Sequence, residues 1–233
     1  MKVRIKFTKT GPLKYIGHLD VMRFFQKLNR RAGIPAAYSE GFSPHQILSF
    51  SPPLPLGAES YGEYADLTIT DKISSEAAIE ALNENTVEGI SIISFKELPD
   101  NALNAMASVT AASYRCRIKD SICYEGNIVS EIKDLINQDE INVLKVSKKN
   151  EKMVDIKPLI YDISVFDPEK EIIDMTLSAG SVDNLKPELI YKAVFDKTGF
   201  SCDERFLDII RLDLYTGDSN LLVSLDDVGR IIP

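Results

Sequence analysis

Apolar and charged residues alternate through Val3-Arg4-Ile5-Lys6-Phe7, the period of a strand with one buried side. The period then changes. From Leu19 to Ala32 the apolar residues Leu19, Met22, Phe25 and Leu28 fall three apart, and Phe24 widens the stripe. Gly33 followed by Pro35 stops it, so the stretch predicts a helix with a core-facing side. Short strands are expected at AAYS (36–39) and ILSFS (47–51), flanking a GFSPH turn, with a longer one at YADLTIT (64–70). A helix from Ser75 to Asn83, capped by Ser74 or Ser75, leads to the strand GISIISFKEL (89–98). Residues 99–112, PDNALNAMASVTAA, read as a linker of small residues. A similar order follows: a strand at 113–119, a helix Val129–Asn137, and strands at 141–148, 160–166 and 171–180. The helix Pro187–Thr198, opened by proline and stopped by Gly199, precedes a final strand at 206–216. The tail LLVSLDDV is left to pair elsewhere.

The order strand, helix, strands, helix, strand matches a split βαβ unit. The expected fold is therefore α+β, with two ferredoxin-like halves for which sheet-to-sheet packing is one arrangement. An N-terminal domain would span 1–98 and a C-terminal domain 113–233. The order of elements supports the pairing; no strong sequence repeat does.

Charge adds a direction. Residues 1–50 hold nine lysines and arginines against Asp20 and Glu40, a net of +7. The whole chain, with 27 basic and 35 acidic residues, carries −8, so the remainder carries −15. A basic end on an acidic chain concentrates positive potential where an anion, above all phosphate, is attracted. Apolar content of 44% suits a globular chain. No apolar run is long enough to cross a bilayer, and MKVRIKFTKTG has no signal-peptide core, so the expected location is cytoplasmic, with no membrane partner. Cys116, Cys123 and Cys202 are odd in number and not closely paired, which argues against a disulfide framework.

The candidate chemistry sits between residues 10 and 57. Arg23, Lys27, Arg30 and Arg31 recur at spacings that cover one helix face and form a phosphate- or RNA-binding candidate; a solvated helix face is the ordinary alternative. His18 precedes the helix, where free N–H groups favour anions; it could contact a ligand, act as acid or base, or simply order the helix entry. In YSEGFSPH, Gly41 gives backbone freedom and Pro44 fixes a dihedral, so Tyr38, Ser39, Phe42, Ser43 and His45 form a candidate pocket on a rigid loop. A turn that merely joins two strands is the other reading. Tyr38, Phe42 and Phe50 are candidates for base stacking, although Phe50 alternates as a core residue would. SPPLPLG (51–57) reads as a pocket rim or a protected edge. Arg115, Arg117 and Arg211 fall on expected strands of the second half, where a cleft or plain solvent is open to them. Spacing requires no metal site at His18 and His45, and no cofactor is expected.

FTKTGPL (7–13), GHLD (17–20), RRAGIP (30–35), YSEGFSPH (38–45) and SFSPPLPLG (49–57) occur in order, and with them the chain resembles the radical-SAM-linked family of bacterial proteins. The resemblance covers the N-terminal half closely and the C-terminal half in outline, chiefly through RLDLYTGDSNLLVSLDDV. It implies a cobalamin-binding radical SAM protein as partner and an RNA-related setting, without assigning a reaction. The radical chemistry would belong to that partner, because this chain lacks the closely spaced cysteine triplet that an iron–sulfur cluster needs. The expected function is an accessory protein that holds RNA or another phosphate-bearing substrate. An RNA-processing or RNA-modifying enzyme with His18 and His45 as acid and base remains the alternative, and a purely structural subunit is a third reading.

Overall fold

The N-terminal alternation forms β1 (Lys2–Lys9), and the helical stretch forms α1 (His18–Arg31). They belong to a computed structural model that describes residues 1–146, 151–181, 183–201 and 205–233. Cys202 and the last two residues of the strand expected at 141–148 lie outside these. The protein is mixed α+β, with a large, mostly antiparallel sheet and five α-helices among the described residues.

Two units divide the chain, one of residues 1–110 with 211–233, the other of residues 111–210. In the first unit β1 lies between β3 (Glu59–Thr68) and β4 (Ile92–Glu97), antiparallel to both. β2 (Leu48–Phe50) extends the sheet beyond β3. Val3, Ile5 and Phe7 point from β1 into a core shared with Leu67 and Phe95 of the sheet, Phe25 and Leu28 of α1, and Ala78 and Leu82 of α2 (Ser75–Asn85). The buried stripe of α1 is Val21, Phe25 and Leu28; Met22 and Phe24 are half-buried, and Leu19, expected to face the core, is exposed because it falls in the first turn at the rim. After α1 the chain reverses at Gly33 (φ +66°), and the Ile34 N–H donates to Asn29 O at 2.9 Å, the Gly-stopped helix end. Ser74 Oγ accepts the Ala77 N–H at 3.2 Å, so the expected cap of α2 is in place.

The second unit holds β5 (Ala111–Ile118), α4 (Ile128–Ile136), β8 (Ile160–Asp167), β9 (Ile172–Ser178) and α5 (Pro187–Thr198). Its strands run β5-β9-β8, antiparallel, while β6 (Asn142–Val146) and β7 (Glu151–Asp155) pair with each other. Tyr124, Phe195, Phe200 and Phe206 cluster at ring separations near 5 Å.

Three expectations change. AAYS forms no strand, only single bridges from Ala36 to Ile69 and from Tyr38 to Gln46. Residues 99–112 are not a free linker: they include the short helix α3 (Ala105–Ser108) and carry backbone groups bound by buried side chains. The second unit does not extend to residue 233. β10 (Leu207–Asp218) passes from the second unit into the first at Arg211, and β11 (Leu221–Ser224) pairs with it. β12 (Arg230–Ile231) pairs with β4, and Ile232 enters the first unit's core. Gly62 of β3 makes room for this return: a Cβ there would lie 2.7 Å from Leu212 O.

Candidate functional site

The YSEGFSPH loop is a closed clasp. Ser39 Oγ accepts the His45 backbone N–H at 3.1 Å and lies 2.9 Å from His45 Nδ1, while the Ser39 N–H donates to His45 O at 2.8 Å. Across this neck the chain makes its turn at Gly41, whose φ of +106° is a conformation that side-chain-bearing residues rarely adopt. Phe42 at the tip is fully exposed, Tyr38 is 46% exposed, and Ser43 and His45 are exposed. The exposed phenyl ring at the tip has no packing role in the fold.

Gln46 ties the loop to α1. Its side chain is buried, its Oε1 accepts from Asn29 Nδ2 at 3.0 Å, and its Nε2 donates to Gln26 O at 3.1 Å and to Tyr38 Oη at 3.4 Å. Arg30 Nε donates to the same Gln26 carbonyl at 3.2 Å. The loop neck and the basic face of α1 therefore meet at one backbone oxygen. Arg23, Lys27 and Arg30 are exposed, with Asp20 3.3 Å from Arg23 as an ion-pair partner. Arg31 is also exposed but is held differently: its Nη2 donates to Asn85 O at 2.9 Å, closing the last turn of α2.

The +7 of the first fifty residues is thinner on the surface than in the sequence. Arg4 is buried against Asp66 through two bonds of 2.8 and 2.9 Å, Lys6 pairs with Asp213 at 3.0 Å, and Lys14 approaches Glu59 at 3.5 Å. Phe50 is buried against Phe7 and Phe25 and is closed to stacking. Arg115 lies on Asp174, Arg117 on Asp120 and Asp208, and Arg211 on Glu63, so all three are held in ion pairs.

His18 stands elsewhere. Its ring meets Phe50 edge-on at 5.7 Å and lines a cavity of ≈ 20 Å³ with Lys9, Ser51, Leu54 and Glu63. His45 lines a groove of ≈ 400 Å³ with Ser39, Gln46, Leu67 and Asn104, and the two linings share no residue. Tyr38, Ser39, Gly41, Phe42, Ser43 and His45 come together in one loop; His18 does not join them. Spacing within α1 could not reveal the anchor Gln46, nor Lys9, which was only one of nine cations in the charge count. A signal for Lys9 existed: the parity that buries Val3, Ile5 and Phe7 carries position 9 inward too. Among the described residues no three His, Cys, Asp or Glu side chains gather as a metal set, and no helix is long and apolar enough to cross a membrane.

Fold and site together define an α+β protein that presents an aromatic-tipped, clasped loop beside a cationic helix face. The chain belongs to the family DUF2344, described as an uncharacterized protein conserved in bacteria, whose model matches residues 2–187. No curated protein is similar in sequence. Among solved structures, a chain of a Cbf5-Nop10-Gar1 complex is similar over 94% of this chain at a TM-score of 0.51 and 11% identity, a likeness of fold. This protein spans 51% of the length of that chain. A heavy metal efflux pump matches at a TM-score of 0.23 and 10% identity, over 94% of this chain and 28% of its own, too low to bear on the fold.

Proposed function

We propose that the protein is a binding module that holds single-stranded RNA, or a comparable phosphate-bearing chain, against the face formed by α1 and the clasped loop. Arg23, Lys27 and Arg30 take backbone phosphates, Phe42 and Tyr38 offer ring faces to unstacked bases, and His45 offers its exposed imidazole. The observation that carries this reading is the tether of loop to helix: Gln46 and Arg30 converge on the Gln26 carbonyl, so the exposed phenyl and the exposed cations sit on one rigid frame. In the same reading the first unit is ferredoxin-like, from its strand order β4-β1-β3-β2 with α1 and α2 as crossovers. The partner implied by the family resemblance is a cobalamin-binding radical SAM protein that acts on the held substrate. The similar chain in the Cbf5-Nop10-Gar1 complex also sits in an assembly of several components, in keeping with such a role.

Fluorescence anisotropy with a labelled single-stranded RNA, at several salt concentrations, tests the reading. Each phosphate contact contributes about 0.7 to the slope of log affinity against log salt, so charge reversal at Arg23, Lys27 and Arg30 should flatten that slope by about 2. Phe42→Ala should weaken binding by about 1–3 kcal/mol with the slope retained. Wild-type affinity indifferent to salt would refute the proposal. Co-purification with the radical SAM protein tests the partnership separately.

A further inference from the structure

The groove beside the clasped loop is large enough for a ligand and carries side-chain groups that the fold does not use. Its ≈ 400 Å³ falls within the range of small-ligand sites. Ser39 and His45, the neck of the loop, form part of its wall, so the groove adjoins the surface that holds the strand. Lys2 of β1, Ser49 of β2 and Thr68 of β3 line it from neighbouring strands. Lys2 pairs with Thr68 across β1 and β3, and Ser49 with Asp66 across β2 and β3. Leu98, Ala102 and Asn104 line it from the segment that follows β4.

The side chains left over for a ligand are mostly donors. Asp66, the groove's carboxylate, has both oxygens engaged: Arg4 donates to them at 2.8 and 2.9 Å, and the Ala105 N–H donates to Oδ2 at 2.7 Å. Gln46 is likewise occupied by Asn29, Gln26 and Tyr38. Asn104 Oδ1 accepts the Ala107 N–H at 2.9 Å, which orients the amide and leaves Nδ2, a donor only, for other use. Lys2 Nζ is also a donor only and has no partner among the described residues; neither have the Ser49 and Thr68 hydroxyls. A hydroxyl donates or accepts as its ligand requires, so the two fixed donors set the choice.

We propose that the groove takes one unstacked base of the bound RNA and selects the keto bases, uracil and guanine, over the amino bases, cytosine and adenine. The proposal rests on the RNA reading above. Uracil O4 and guanine O6 accept a hydrogen bond where the amino group of cytosine or adenine donates one. Asn104 Nδ2 and Lys2 Nζ therefore meet an acceptor in the first pair and another donor in the second. A donor shut off from water without an acceptor is penalised, and that penalty falls on the amino bases. Leu48, Leu98 and Ala102 give the ring an apolar bed.

Two pairs of labelled RNA hexamers isolate the keto group: uridine against cytidine, and inosine against adenosine. Phosphates and ring size are the same within each pair. In fluorescence anisotropy with the full chain, the keto member should bind about fivefold tighter or more. Asn104→Asp keeps the helix cap, because a carboxylate oxygen also accepts the Ala107 N–H, and it replaces the donor by an acceptor. That variant should abolish or reverse the preference, and Lys2→Met, a change at an exposed side chain, should reduce it. Stacking within the free hexamers is the same for every variant, so a changed ratio reports the groove. Equal affinities within both pairs for the wild type, or a preference that both variants leave intact, would overturn keto selection and leave RNA binding standing. No binding of any hexamer would overturn the RNA reading, and this proposal with it.

Discussion

Gln46 and Lys9 are both buried polar residues, and their partners differ. Gln46 meets Asn29, Gln26 and Tyr38, while Lys9 meets one distant carbonyl. Removing a member of a satisfied buried set strands its partners, so Gln46→Ala should cost about 1–3 kcal/mol in denaturant unfolding, and RNA affinity should fall with it. His45→Ala removes an exposed ring; RNA affinity should drop while the unfolding midpoint stays close to wild type. Lys9 makes a prediction in pH. The unfolded lysine keeps its proton up to about 10.5, whereas the buried amine releases it at lower pH. In that window the unfolded chain binds more protons, so stability should rise with pH toward 10.5. Urea unfolding of Lys9→Met across the same range should show a flatter profile; an unchanged slope would mean that Lys9 is solvated.

At the scale of elements, α1 carries two roles on opposite sides. Val21, Phe25 and Leu28 hold the core, and Arg23, Lys27 and Arg30 face water. Both sides were legible in the sequence, because helical periodicity separates them whatever the helix packs on. The clasped loop was legible in part: Gly41 and Pro44 announced a rigid turn. Its attachment to α1 depends on Gln46 reaching a backbone carbonyl, which no periodicity records. AAYS failed as a strand for a related reason, since its hydrogen bonds go to the loop and to Thr68 rather than along a ladder. For α2, the Ser74 cap should be worth about 1 kcal/mol, measurable as the loss in Ser74→Ala.

At the scale of the molecule, the chain's last stretch completes its first unit. Asp213 receives Lys6, Ser224 and Tyr64; Asp226 receives Lys96 and Ser94; Leu225 O receives Arg4. Burial would raise the Asp226 carboxyl, but the bonds from Lys96 and Ser94 outweigh it and hold the group below the ordinary carboxylate range. That contribution to stability is present at neutral pH and disappears as pH falls through the lowered value. Truncation after residue 210 should therefore unfold the first unit, seen as loss of amide protection in β1 and β4 by hydrogen exchange. A truncated chain that kept this protection would contradict the two-unit division.

The sequence by itself determined the longer helices and strands and most of their inward faces, because strand and helix periods are local. It also determined which stretch carries cations, an aromatic tip and two imidazoles. Tertiary structure decided which charges remain. Asp66, Asp213 and Glu63 arrive from distant strands to take Arg4, Lys6 and Arg211, leaving α1 cationic toward water. Pairing of this kind depends on which strands lie side by side, and local pattern does not encode that.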